Sequence, residues 1–312
     1  MKELVVVSGK GGTGKTSIAA SFAMLADRPV VADCDVDAAD LHLVLDPRVI
    51  ERREFRAGRI ASVRAGDCRG CGVCAGLCRF GAIAPAADGG DAGGGRFVVD
   101  PIACEGCGVC VRFCPAEAVD YPERSCGEWM VSDARPGPMV HARLAVAAEN
   151  SGKLVSLVRR EARRIAEERG CSLVITDGPP GIGCPVIASV TGASLVAVVA
   201  EPTVSGEHDA ERVLALARHF QIPAAVCVNK WDLNPAKADA LEAAAAAGGA
   251  RWLGRIRYDR GFTEAQLRGL SVVETGAPSA DDIRCVWRSV ETILGAPRAA
   301  VAADAGLSPD KT

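Results

Sequence analysis

The chain has 312 residues, enough for one large domain or for a domain with a smaller companion. With 49% apolar residues it can bury a core, and a formal net charge of −3 gives no global attraction to nucleic acid or an anionic membrane. The longest apolar run, Leu195–Ala200, is far short of the ~20 residues a bilayer span needs, and Met1-Lys2-Glu3 does not read as a signal peptide, so a cytoplasmic protein without stable membrane insertion is expected.

Leu4-Val5-Val6-Val7 has the form of a buried parallel strand and stops at Ser8-Gly9. A helical pattern follows over 15–26, with Ile18, Phe22 and Leu25 on one face, and then a second strand, Val30-Val31-Ala32, ends in Asp33 and Asp35. Beyond residue 60 the texture changes to cysteine, glycine and short turns, including a glycine-rich piece at 88–95 read as flexible. Alternation returns by about Leu144, with a helix over 152–169 and strands over 173–176, 195–200 and 225–228. That order predicts an α/β fold with a mostly parallel sheet covered on both faces. The sheet domain is expected to be discontinuous, over 1–60 and 124–296. Residues 61–123 form an insert and 297–312 a flexible tail.

Gly9-Lys10-Gly11-Gly12-Thr13-Gly14-Lys15-Thr16 satisfies G-x-x-x-x-G-K-T between a strand and a helix. Glycines let backbone N–H groups curl around phosphate, and the helix N-terminus adds positive potential. Lys15 is expected to reach the β- and γ-phosphates and Thr16 to bind Mg²⁺. An aspartate at a strand end is also a common turn former. Asp33-Cys34-Asp35 and Asp177-Gly178-Pro179-Pro180-Gly181 therefore gain weight only beside this loop.

The early lysine makes the loop resemble the deviant Walker A signature of the MinD/ParA/nitrogenase-iron-protein ATPases, the SIMIBI class of P-loop NTPases. The resemblance implies an ATP-dependent dimer, of two copies or with a paralogue. In it Lys10 crosses to the partner's nucleotide and stabilises transition-state charge. It also implies that Asp35 orients the attacking water, that Asp177 holds Mg²⁺ through water and that the Gly181 backbone senses the γ-phosphate. Asn229-Lys230-Trp231-Asp232 sits where that class contacts the base, through Asn229 and Asp232; as N-K-x-D it also fits guanine, which leaves GTP open beside ATP.

The chain has fourteen cysteines. With no export signal and eight of them in one stretch, metal ligation in a reducing compartment is expected over disulfides. Cys68, Cys71, Cys74 and Cys78 make C-x2-C-x2-C-x3-C, and Cys104, Cys107, Cys110 and Cys114 repeat it, followed by Pro115. Zinc would leave the third spacing unexplained. The two runs resemble bacterial two-cluster ferredoxins, a small α+β module. By that resemblance Cys68, Cys71, Cys74 and Cys114 hold one [4Fe–4S] cluster, and Cys104, Cys107, Cys110 and Cys78 the other. Arg79 departs from the pattern, where proline is usual.

Taken together, the segments resemble MinD-superfamily ATPases with an inserted ferredoxin domain. The likeness runs over about residues 1–296 and includes Gly127-Glu128-Trp129 and the stretches 137–142, 149–155, 177–189 and 202–209. The function expected on this basis is nucleotide-gated electron transfer to an unidentified redox partner. Delivery of iron–sulfur clusters or a metallocofactor to an assembly partner is the alternative, and MinD/ParA-like positioning ranks last. Cys184, at the spacing of the iron-protein cysteine beyond Asp177, is either a buried turn residue or a group near the dimer interface, with Cys126 a weak companion. Cys34, Cys171, Cys227 and Cys285 read as core, and the four histidines form no metal motif.

Overall fold

The apolar run after Lys2 builds β1 (Lys2–Ser8), buried from Glu3 onward. A strand covered on both faces needs no polar–apolar alternation, which is why this one reads as an unbroken run. The structure is a computed structural model describing residues 1–86, 96–145 and 151–295. The glycine-rich 88–95 piece, residues 149 and 150 and the 297–312 tail lie outside the described residues.

After β1 come α1 (Lys15–Leu25), β2 (Val30–Asp33), α2 (Leu41–Leu45) and β3 (Arg48–Arg59). A series of short elements follows: β4 (Ser62–Val63), α3 (Val73–Leu77), β5 (Ile83–Pro85), β6 (Phe97–Val99), α4 (Val109–Arg112) and β7 (Val119–Asp120). The chain continues through β8 (Glu123–Ala134), β9 (Gly137–Leu144), α5 (Ser151–Arg169), β10 (Leu173–Pro180), α6 (Cys184–Val190) and β11 (Leu195–Ala200). It finishes with α7 (Val204–His219), β12 (Ala224–Asn229), α8 (Pro235–Ala247), β13 (Arg251–Ile256), α9 (Gly261–Leu267) and α10 (Pro278–Gly295).

Two compact units result. Among the described residues one holds 1–53, 129–143 and 151–295; the other holds 54–86, 96–128 and 144–145. Nine strands form one sheet in the order β13-β12-β11-β1-β10-β2-β9-β8-β3, and the contacts from β13 through to β9 are parallel. Alternate residues of β1 point to opposite faces. Leu4 and Val6 pack with Ile18 and Phe22 of α1 and Trp287 of α10. Val5 and Val7 pack with Val186 of α6 and Val213 of α7.

An ion network is buried inside the first unit. Arg159 of α5 grips Glu3 with two bonds of 2.8 Å and donates to the carbonyls of Ala188 and Thr191 at the end of α6. Arg163 and Thr176 add further donors to Glu3. A bidentate, fully bonded pair of this kind tolerates burial; one partner alone does not.

Of the nine strands of the sheet, β3, β8, β9 and β13 are absent from the sequence expectations. In β3 only Phe55 and Ala57 are buried and the rest is largely arginine and glutamate, so no apolar run announces it. In the second unit, β4 pairs antiparallel with β7, and β5 with β6. α3 and α4 each start after a left-handed glycine, Gly72 (φ 72°) and Gly108 (φ 73°). Of the cysteines expected in the core, Cys34 and Cys227 are buried, whereas Cys171 is half-buried and Cys285 is exposed on α10. The apolar neighbours of Cys285 in sequence belong to the buried stripe of that helix (Ile283, Val286, Trp287), and the cysteine falls on the other face.

Candidate nucleotide site and cysteine-lined cavities

The carboxyl ends of β1, β2, β10, β11 and β12 converge on the Gly9–Thr16 loop, the side of an open α/β sheet where ligands bind. Gly14 has φ 86°, and a Cβ there would lie 2.5 Å from the Asn229 amide nitrogen; only glycine fits this turn. Asn229 donates to the Thr13 carbonyl at 2.8 Å and accepts from the Lys230 N–H, so its amide braces the loop. Asp232, the other residue expected at the base, accepts the Tyr258 N–H at 2.7 Å.

Lys15 is the centre of the site. Its Nζ lies 2.7 Å from Asp177 Oδ1, 3.4 Å from Asp35 Oδ2 and 3.2 Å from Thr16 Oγ1. Burial alone would depress the ammonium, but Asp177 and Asp35 outweigh it and hold its pKa above the ordinary value. Asp35 is raised by burial and by Asp177, with Lys15 opposing. A third carboxylate, Asp33, is completely buried and raised well above its usual range by burial and by Asp177. One oxygen of Asp33, one of Asp177 and the Thr13 hydroxyl are buried without a hydrogen-bond partner. Asp35 and Asp177 against one lysine leave negative charge for a cation, and the orphaned Asp177 oxygen is a hard ligand of the kind Mg²⁺ takes.

From the sequence alone Asp33 is only a strand end. Residues i and i+2 of an extended segment face the same way, and that spacing within Asp33-Cys34-Asp35 was the available signal. The Gly181 N–H donates to the Ser8 carbonyl at 2.9 Å, a bond that contact with a γ-phosphate would have to replace. Lys10 reaches Glu201 (3.2 Å) and Ser205 (3.2 Å). Lys230 also pairs with Glu201 and donates to the Gly12 carbonyl at 3.1 Å. Neither Glu201 nor Lys230 was anticipated as a site residue. The position of Glu201 just beyond β11, at the ligand edge of the sheet, was the clue.

In the second unit Cys68, Cys71, Cys74 and Cys114 line one small cavity together with Phe97. Cys78, Cys104, Cys107 and Cys110 line another beside Phe80. Equivalent cysteines match in exposure: Cys71 and Cys107 are exposed, Cys74 and Cys110 buried. The Ala82 N–H donates to Cys78 Sγ and the Ala118 N–H to Cys114 Sγ, each at 3.4 Å. Burial raises Cys74 and Cys110; crowding by Cys68 and Cys114 adds to the first, and by Cys104 and Cys107 to the second. Cys126 is buried and its thiol donates to the Ala57 carbonyl at 3.1 Å, whereas Cys184 is exposed at the start of α6.

Fold and loop together define a P-loop nucleotide-binding α/β protein. The family model of the CobQ/CobB/MinD/ParA nucleotide binding domain (CbiA) matches residues 4–272, and the chain belongs to that family. It is 33% identical over 235 residues to the uncharacterized protein MJ0578 of Methanocaldococcus jannaschii, covering 74% of this chain and 79% of that one. Its fold is similar to that of the septum site-determining protein MinD of Pyrococcus horikoshii, solved with Mg-ADP. There the TM-score is 0.56 and the identity 16%, over 94% of this chain and 97% of the other. It is also similar to a chain of the MinC:MinD cell division complex of Aquifex aeolicus, at TM-score 0.54 and 17% identity over 94% and 96%.

These findings correct the expected function. Nucleotide-gated electron transfer, with cluster or metallocofactor delivery as the alternative, gives way to a MinD/ParA-type ATPase, the reading that had ranked last. Among the described residues no three His, Cys, Asp or Glu are placed to hold a metal ion, and none of the helices is long and apolar enough to cross a membrane. The charged groups assembled in the family's domain are Lys15 of the phosphate loop and the strand-end carboxylates Asp35 and Asp177.

Proposed function

We propose that the chain binds and hydrolyses Mg-ATP and uses the nucleotide to control pairing, with a second copy or a paralogue, and thereby the recruitment of a protein partner. The observation that carries this reading is the buried arrangement of Lys15 among Asp35, Asp177 and Asp33, with unpartnered oxygens left on two of them. Lys15 binds the phosphates, Thr16 and Asp177 hold Mg²⁺ with Asp33 behind them, and Asp35 orients the attacking water. Gly9, Gly11, Gly12, Thr13 and Gly14 cradle phosphate with their N–H groups, and Gly181 exchanges Ser8 for the γ-phosphate. Lys10 reaches the partner's nucleotide, and Asn229 and Asp232 flank the base. The complex of the A. aeolicus MinD with MinC supports recruitment of a protein as the output.

The purified chain should hydrolyse ATP only with Mg²⁺, and Lys15→Ala should abolish this. Asp35→Ala should retain ATP and elute as a dimer. Hydrolysis that survives Lys15→Ala would refute the assignment.

A finer reading concerns residues 61–123, taken as an inserted ferredoxin-like module with two [4Fe–4S] clusters. A single ion draws its ligands to within about 2.3 Å of one point. A cluster spreads four thiolates around a larger body, in keeping with four cysteines lining each cavity. The N–H bonds to Cys78 and Cys114 suit thiolate ligands. Bound there, a cluster would supply cross-linking iron–thiolate bonds between the two cysteine runs. Anaerobically purified protein should contain about eight irons per chain, falling to about four in Cys74→Ala. Fewer than one would reject the clusters.

A further inference from the structure

The residue that stands out beyond this reading is Glu201. It is not part of the phosphate loop, yet it pairs with that loop's early lysine, Lys10. Its carboxylate lies 3.2 Å from the Lys10 ammonium through Oε2, while Oε1 pairs with Lys230. Its side chain is 13% exposed, against 34% for that of Lys10. The backbone fixes it in place: the Glu201 carbonyl accepts the Thr203 N–H at 2.8 Å, and a Cβ on Gly206 would come within 2.4 Å of that same oxygen. The first turn of α7 therefore clamps Glu201 beside the loop. The Ser205 hydroxyl from the same turn takes a second bond from Lys10 at 3.2 Å. The two lysines hold the Glu201 carboxyl below its usual range against partial burial, so it is charged at neutral pH.

An ammonium neutralised within its own subunit is not available to another. We propose that Glu201 is a latch on Lys10: in the lone subunit it pairs this lysine in cis, and the ATP-bound partner's phosphates must displace the carboxylate before the dimer closes. Lys230 keeps its bond to Gly12 and stays beside Glu201, so the freed carboxylate does not become an unpaired charge. Without the latch the lysine would be free to project before nucleotide arrives. With it, pairing depends on an incoming anion strong enough to compete. This inference rests on the proposed trans role of Lys10.

The test is Glu201→Gln, which keeps the size of the side chain and an acceptor for Lys230 but removes the charge. A partly exposed ion pair is worth up to a factor of about 5 in an equilibrium constant. A two-fold symmetric dimer breaks two such pairs, so ATP-dependent dimerisation should tighten by up to about 25-fold. It is measured by sedimentation in the Asp35→Ala background, which holds ATP, to separate pairing from turnover. Ser205→Ala should shift the same equilibrium in the same direction by a smaller factor. Dimerisation unchanged or weakened in Glu201→Gln, with the thermal melt intact, overturns the latch. If Glu201→Gln unfolds, Ser205→Ala decides, and no tightening there overturns it as well. Failure of the underlying reading looks different, because Lys10→Ala would then hydrolyse ATP at the wild-type rate.

Discussion

Replacing Lys10 by alanine separates a structural lysine from a catalytic one. Within its own subunit Lys10 makes one ion pair, to Glu201 at 3.2 Å, and one hydrogen bond, to Ser205, with about a third of its side chain exposed. Such a pair contributes about 0.2–1 kcal/mol. A chain of this size loses only about 2–4 °C of melting temperature per kcal/mol, so the variant should melt within a few degrees of wild type. A lysine that stabilises transition-state charge is worth far more: losing one preorganised donor costs about 2.7–4 kcal/mol, or 10²–10³ in kcat. The assay is steady-state Mg-ATP hydrolysis, followed by mixing Lys10→Ala with Asp35→Ala, each inactive alone. In a mixed dimer one site has both its own Asp35 and the other subunit's Lys10. With half the dimers mixed and one good site in each, about a quarter of wild-type activity should return. A kcat within threefold of wild type, or a mixture no more active than its components, would refute the trans assignment.

Burial and Asp177 lift the Asp33 carboxyl well above 3.8, so the folded chain keeps a proton that the unfolded chain sheds. The resulting stability is complete below about pH 3.8 and is lost as pH rises toward the folded value, by up to about 1.4 kcal/mol per pH unit. Asp33→Asn should therefore gain stability over wild type as pH is raised in urea-unfolding series without nucleotide; a pH-independent difference rejects this. Gly14→Ala combines a left-handed backbone with contact against Asn229 and should lose Mg-ATP binding in calorimetry, with about 1–3 kcal/mol of stability. Glu3→Ala strands the buried Arg159 and should cost about 3–5 kcal/mol in urea. Adding Arg159→Met should recover part of that loss, and strict additivity of the two would argue against a coupled pair.

The phosphate loop, its flanking strand and helix, and the strands that became β2, β10, β11 and β12 were legible because burial on both faces writes itself as continuous Val, Leu and Ala. β3 was hidden because its exposed residues carry charge, and a strand with two buried side chains has no hydrophobic signature. The site was partly legible for a different reason. Gly9–Thr16 is contiguous, so its spacing carries the chemistry, whereas Glu201 meets Lys10 only after the sheet brings β11 beside β1. Function went furthest astray at the cysteine runs. Their local spacing is strong evidence about ligation but says nothing about what the nucleotide drives.

The two cysteine cavities also impose an order on biosynthesis. Each takes three cysteines from one run and its fourth from the other, and β4, ahead of the first run, pairs with β7, after the second. A nascent chain that has exposed Cys68, Cys71 and Cys74 still holds an open cup, because Cys114 has yet to leave the ribosome. Neither cavity can be completed until the second run has emerged.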